Sequence, residues 1–238
     1  LADYVKYSGD TATGRDLWPV VKRQVEVARE ALDPAGIYDN ALKPSWLVFD
    51  WKSDLNRDAS IQGLMTFAVD RSYELARMLG TEKEVSDWPK LTARMKSAAR
   101  NAYYDRKSGL VLSGPDKQAS YLSQVWMVLS GTLSVKEGAR ALSAIMESPD
   151  ACRIGSPYAY HYFIEALIQC GLEEQARTAL IDYWGGMVHK GADTFWEVYD
   201  PEDDFKSPYG FFPINSYCHA WSCTPVYFIN KYPEVFQR

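Results

Sequence analysis

The stretch Gly191-Ala192-Asp193-Thr194-Phe195-Trp196-Glu197-Val198-Tyr199-Asp200 sets one carboxylate, Glu197, among three aromatic rings. Apolar surroundings raise a carboxyl pKa, and a carboxylate so placed can act as an acid or a base near neutrality. The same pattern also fits a Glu that caps a buried backbone turn, since structural networks imitate sites. A second stretch, Trp46-Leu47-Val48-Phe49-Asp50-Trp51-Lys52, carries Asp50 between rings. Such an Asp either caps a packed loop or accepts hydrogen bonds from sugar hydroxyls while a Trp ring covers the pyranose face. A third, Ser216-Tyr217-Cys218-His219-Ala220-Trp221-Ser222, opens an apolar helix. Its His219 reads equally as a satisfied core histidine or as a donor to a sugar hydroxyl. Tyr158, Tyr160 and His161, at the start of another helix, suit a cleft wall or the core.

Other chemistries find no support. Asp200-Pro201-Glu202-Asp203-Asp204 lacks the alternating oxygen ligands and the glycine of an EF-hand loop, so it reads as a solvated acidic loop. No Gly-x-Ser-x-Gly elbow, P-loop, Gly-x-Gly-x-x-Gly or His-Glu-x-x-His occurs, which argues against those hydrolases, nucleotide binding and zinc proteolysis. Four cysteines without a Cys-x-x-Cys, beside only three histidines, disfavour a zinc site. The thiols read as buried and free, with a Cys218–Cys223 bridge as the alternative.

These clusters need elements to hold them, and helical periodicity supplies the elements. Leu17, Val21, Val25, Ala28 and Leu32 recur at steps of three and four, which predicts a helix from Asp10 to Leu32, stopped by Asp33-Pro34-Ala35-Gly36. Ile37 to Asp58 is irregular. Ile61, Leu64, Met65, Ala68, Val69, Ala76 and Leu79 share the face of a second helix that Gly80 closes. Glu84 to Tyr103 is a third, entered through Ser86-Asp87-Trp88-Pro89. Tyr104 to Pro115 reads as a turn or short hairpin. Further helices are expected over Lys117–Leu129, Val135–Met146, Pro157–Cys170, Leu172–Trp184 and Tyr217–Asn230, with loop from Gly185 to Pro213. Helix pairs with short links and no sustained β-alternation describe an all-α hairpin array. No fixed period marks a regular solenoid, and no break in composition divides residues 1–238 into two domains.

Composition narrows the partners. A net charge of −5 disfavours nonspecific nucleic-acid binding, which draws on clustered Lys and Arg. No apolar run approaches the roughly 20 residues that span a bilayer, so no membrane partner is expected. Eight Trp and sixteen Tyr fit either a core of large side chains or a ring-floored cleft for sugar C–H faces. Leu1 to Tyr7 reads as the last turns of a helix ended by Ser8-Gly9-Asp10, as though the chain begins inside a domain.

The three clusters, in this order, resemble the catalytic domain of glycoside hydrolase family 78, the α-L-rhamnosidases, over nearly the whole chain. Tyr4 to Asp10 is similar to that family's tyrosine-rich helix end before Thr-Gly-Asp. Phe49-Asp50-Trp51 is similar to its Gly-Asp-Trp, and Ala76 to Gly80 to its Ala-x-x-Leu-Gly. Gly191 to Glu197 resembles Gly-Ala-Thr-Thr-x-Trp-Glu, and Ser216 to Trp221 resembles Ser-x-x-His-x-Trp. The Trp-Glu and His-x-Trp pair is the specific part.

What the resemblance implies is a six-hairpin α/α toroid, incomplete in this chain, that hydrolyses terminal α-L-rhamnosides with inversion. Glu197 would be the general base. Asp50, Trp51 and His219 would line the sugar subsite, with Trp196 and Trp221 as walls. No metal or other cofactor is required. The family's general acid lies in a segment upstream of the tyrosine-rich helix that has no counterpart here. The missing N-terminal part of the domain is therefore an expected partner beside the carbohydrate substrate, and residues 1–238 alone are expected to be inactive. Phe49 for Gly and Asp193 for Thr depart from the pattern and leave the sugar open. A polysaccharide lyase on the same toroid and a non-catalytic carbohydrate-binding relative are the competing readings. The substrate class favours a periplasmic or secreted location.

Overall fold

A computed structural model describes residues 1–44 and 47–237; Trp46, the first ring of the Asp50 stretch, lies outside the described residues. The chain opens with α1 (Ala2–Ser8), which Gly9 ends at φ 72°, and α2 (Thr11–Glu30), whose first turn Asp10 caps through the Thr13 amide at 3.0 Å. After an irregular stretch come α3 (Asp58–Leu79), a 3₁₀ turn (Glu82–Val85) and α4 (Trp88–Tyr103). Three short strands follow: β1 (Tyr104–Asp105), β2 (Leu110–Ser113) and β3 (Gln118–Ala119). The remaining helices are α5 (Tyr121–Leu129), α6 (Val135–Glu147), α7 (Pro157–Gln169), α8 (Glu173–His189), α9 (Thr224–Lys231) and α10 (Pro233–Phe236).

The helices form hairpins. α3, α5 and α7 pack side by side as an inner row, and α4, α6 and α8 each pack against the inner helix that precedes them. Every residue of α5 is buried, the mark of a helix enclosed on all sides rather than amphipathic. α3 approaches it so closely that a Cβ on Gly63 would meet the Trp126 Cβ at 2.7 Å and its carbonyl carbon at 2.8 Å. Two fully buried glutamines fasten the connections to this row. Gln62 accepts from the Tyr38 amide at 2.7 Å and donates to the Gly36 and Met95 carbonyls, both at 3.1 Å. Gln124 clamps both backbone groups of Val111, at 2.8 and 2.9 Å, and so holds the small sheet against α5. At α6, Ser134 and Glu137 form a reciprocal capping box, and Arg100 of α4 grips the same carboxylate with two bonds of 2.7 and 3.0 Å.

Four boundaries differ from the periodicity. Lys117–Leu129 is not one helix: Lys117 turns at φ 53°, Gln118–Ala119 pairs with β2, and Ser120 caps α5. The third helix divides into the 3₁₀ turn and α4. α8 runs five residues past Trp184, through Gly185-Gly186. Gly186 serves packing rather than termination, since a Cβ there would lie 2.4 Å from the Tyr199 hydroxyl. Tyr217–Asn230 is not one helix either. It holds a 3₁₀ turn, Ala220–Ser222, and then α9, because its first residues are committed to another segment, described below. All four cysteines are free, but only Cys152 and Cys170 are buried; Cys218 and Cys223 are exposed and unbridged. No helix among the described residues is long and apolar enough to cross a membrane.

Candidate active site

Residues 195–197 and 216–219 lie side by side as two short irregular strips, with bends at Glu197, Tyr217 and Cys218. The Glu197 amide donates to the Ser216 carbonyl at 2.8 Å, and the His219 amide to the Phe195 carbonyl at 2.9 Å. Side chains then lock the pair. The Trp221 indole donates to the Glu197 carbonyl at 3.0 Å, the Ser222 hydroxyl to the Trp196 carbonyl at 2.6 Å, and the Thr194 hydroxyl to the Tyr217 carbonyl. Trp184 of α8 ties this unit to the helical frame by donating to the Ser222 carbonyl at 2.8 Å. The first and third sequence clusters therefore meet, although about twenty residues of loop separate them.

Glu197 sits within this unit at 4% exposure. Its Oε2 accepts from the Ser216 amide at 2.9 Å, and its Oε1 accepts from the Tyr209 hydroxyl. His219 Nε2 lies 3.9 Å from Oε1, too far for a direct hydrogen bond. Because His219 Nδ1 accepts from the Trp221 amide at 3.4 Å, the neutral ring carries its proton on Nε2, the nitrogen nearer Glu197. Rings surround the carboxylate. Trp221 packs on His219 at 4.5 Å, Trp51 packs edge-on against Trp221 at 5.6 Å and Tyr209 at 5.7 Å, and Tyr158 adds a wall 6.0 Å from Trp221. The indole N–H of Trp51 is buried with no acceptor among the described residues.

Asp50, also buried, is anchored. Its two oxygens accept from the Trp51 amide at 2.9 Å and the Gly155 amide at 2.7 Å, which joins this loop to the residues leading into α7. Burial pushes its carboxyl up to about 6, against the pull of the Ser156 hydroxyl and those two amides. Two amides and a hydroxyl thus hold this carboxyl in place. By holding the loop, Asp50 presents Trp51 to the ring wall.

Trp196 takes a different place from the one expected. Its ring packs edge-on against Tyr199 and Tyr217. It lines a cavity of about 410 Å³ with Lys190, Asp200, Lys206 and Asn215, which Glu197 does not border. A second cavity, about 530 Å³, lies where Tyr160 stacks on Tyr183. His161 packs on Tyr227 and Phe228, with its Nδ1 3.2 Å from the Thr224 hydroxyl, so it belongs to the helix interior. Among the described residues no group of three His, Cys, Asp or Glu is arranged to hold a metal ion.

Two partners of Glu197 escape a reading of the sequence. The Ser216 amide is backbone and leaves no trace in residue type. Tyr209 sits in a nonperiodic loop with Phe205, Phe211 and Phe212, where nothing distinguishes it from its neighbours. The hydrogen bond to Glu197 pushes the Tyr209 phenol above its ordinary range.

A rhamnosidase from Klebsiella oxytoca, solved with rhamnose bound, superposes with a TM-score of 0.90 at 40% identity, over 98% of this chain and 45% of that one. A family 78 rhamnosidase of Bacillus sp. GL1 shares the fold at a TM-score of 0.80 and 21% identity, over 96% of this chain and 25% of that one. The chain thus spans less than half the length of either. None of the curated proteins matches it. The sequence model of the bacterial α-L-rhamnosidase six-hairpin glycosidase domain matches residues 2–232, and the chain belongs to that family.

Proposed function

We propose that residues 1–238 act as one domain that supplies the catalytic base and much of the sugar subsite of an inverting α-L-rhamnosidase. The observation that carries the reading is the setting of Glu197: buried, ring-walled, and fixed by the Ser216 amide and the Tyr209 hydroxyl. The rhamnose named for the Klebsiella relative supports the choice of sugar.

In an inverting hydrolysis one carboxylate takes a proton from the attacking water while a second carboxyl group, roughly 6.5–9.5 Å away, protonates the leaving oxygen. Glu197 takes the first role. Oε1 has a free lone pair on the side toward His219, and a water there passes its proton to Oε1 as its oxygen attacks the anomeric carbon. His219 Nε2–H and the Trp51 indole N–H donate to sugar hydroxyls, and the Trp51 and Trp221 rings pack on the pyranose. The general acid is assigned to no residue of this chain.

The test is Glu197→Gln in the complete enzyme, with an aryl α-L-rhamnoside as substrate. Turnover should fall by ~10³-fold or more, since the amide cannot accept the proton. Proton NMR of the wild-type reaction should show the β-anomer released first. Near-normal turnover of the Gln variant removes Glu197 from the mechanism, and initial release of the α-anomer removes the inverting reading.

A further inference from the structure

The base assignment leaves open what keeps the carboxylate aimed. Among the described residues Tyr209 is the one side chain that donates a hydrogen bond to Glu197. It arrives from outside the rigid unit. Tyr209 lies on the loop between the two strips, with its residue 48% exposed although its hydroxyl reaches a carboxylate that is almost fully buried. Its ties to α8 lie at its start: Lys190 donates to the Pro201 carbonyl at 3.1 Å and to Asp204, and the Tyr183 hydroxyl donates to the Tyr199 carbonyl at 3.3 Å, while within the loop the Asn215 amide donates to the Lys206 carbonyl at 2.6 Å. The Tyr209 ring also meets the edge of Trp51. One side chain therefore touches both the base and a wall of the sugar subsite.

We infer that Tyr209 is a positioning residue for Glu197, an inference that rests on the base reading above. The Ser216 amide occupies Oε2 and fixes one end of the carboxylate. Without a second donor, the other end is free to turn about the last side-chain torsion, which is broad for a Glu. The phenol closes that freedom. It takes one lone pair of Oε1 and leaves the other directed to the gap of 3.9 Å beside His219 Nε2. A donor to the charged form also favours that form, which a base must keep until the proton arrives. A purely structural role fits poorly, because a half-exposed ring on this loop contributes little to the core.

The experiment compares Tyr209→Phe, Tyr209→Ala and Glu197→Gln in the complete enzyme with an aryl α-L-rhamnoside. For the Phe variant kcat should drop about 10- to 100-fold, within the range that acid–base groups command, with KM changed about twofold at most. The acidic limb of its kcat profile should move to higher pH, and its melting temperature should stay within about 2 °C of wild type. The Ala variant should lose as much kcat as the Phe variant and in addition raise KM through the lost Trp51 contact. A Phe variant with wild-type kcat and an unmoved acidic limb overturns the inference, as does a kcat loss confined to the Ala variant, which would credit the ring instead of the hydroxyl. If Glu197→Gln is inactive while Tyr209→Phe is normal, the base stands and the positioning role alone fails. If Glu197→Gln keeps its turnover, both fail together.

Discussion

The row α3–α5–α7 and the strip pair around Glu197 are both buried, yet they are held by opposite means. In the helical row, apolar side chains fill most of the space, and the two buried glutamines, Gln62 and Gln124, spend every bond on backbone groups. Around Glu197 the backbone strips have few ladder bonds of their own. Side chains complete them: Trp221, Ser222 and Thr194 each donate to a carbonyl of the opposite strip. A tightly packed row tolerates no change of volume. A polar frame tolerates volume better but depends on each donor, because every lost bond frees a strip. The two regions should therefore fail differently, one in stability and the other in turnover.

The largest stability effect is expected at Gly63. Gly63→Ala adds one methyl group to α3, whose helical propensity gains ~1 kcal/mol. That methyl would meet the Trp126 backbone and Cβ at 2.7 to 2.9 Å, so the two inner helices must separate. Overpacking against backbone atoms costs about 3 kcal/mol net, and the melting temperature should fall by roughly 6–12 °C. The kcat of the molecules that remain folded should stay within about threefold of wild type. A stability unchanged by the substitution would show that the row is not close-packed at this crossing.

The same contrast explains what could be read from residue order. α3 announces itself because burial on one side imposes a period, as with Ile61, Val69, Ala76 and Leu79, whereas α5, buried all round, carries no such stripe. Terminators were legible where they sit at ends, as Gly80 does at φ 71°. They misled where a glycine makes room for another chain segment, as Gly186 does beneath Tyr199. In the site, Glu197, His219 and Trp221 were legible because charge and rings crowd into short motifs. Trp196 was misplaced because a motif does not reveal which way a residue faces. The phenol of Tyr209 was invisible because its partner is reached through a loop, with no period to fix the distance. Asp50 was legible as a buried carboxylate, but its anchor, the Gly155 amide, lies 105 residues away in sequence.

Asp50 stands where the two regions join, and its titration sharpens the comparison. Its carboxyl lies at about 6 in the folded chain against an ordinary 3.8, with burial as the main cause. A raised folded pKa means that the folded state binds the proton more tightly than the unfolded one. The contribution to stability is thus complete below about 3.8 and is lost as pH rises through about 6. Two units correspond to at most about 3 kcal/mol. Measured by denaturant unfolding from about pH 4 to about pH 7, wild type should lose stability relative to Asp50→Asn, which cannot titrate. Parallel curves would show that Asp50 is ionised throughout and solvated well enough to carry no penalty.

The smallest expected effect tests the polar frame directly. Trp221→Phe keeps most of the ring contact with Trp51 and His219 but deletes the indole N–H that donates to the Glu197 carbonyl at 3.0 Å. The two strips keep their backbone bonds at Ser216 and Phe195, so the fold should lose only ~1 kcal/mol. The Glu197 backbone, however, loses the one indole that fixes its carbonyl, and a carboxylate displaced by a fraction of an ångström meets the water at the wrong angle. Turnover should fall about tenfold, equal to ~1.4 kcal/mol in the barrier, with the melting temperature lowered by no more than roughly 4 °C. Should the melting temperature collapse while kcat of the folded fraction holds, Trp221 would belong with the packed row, and the division between a region that stabilises and a region that aims would not hold at this residue.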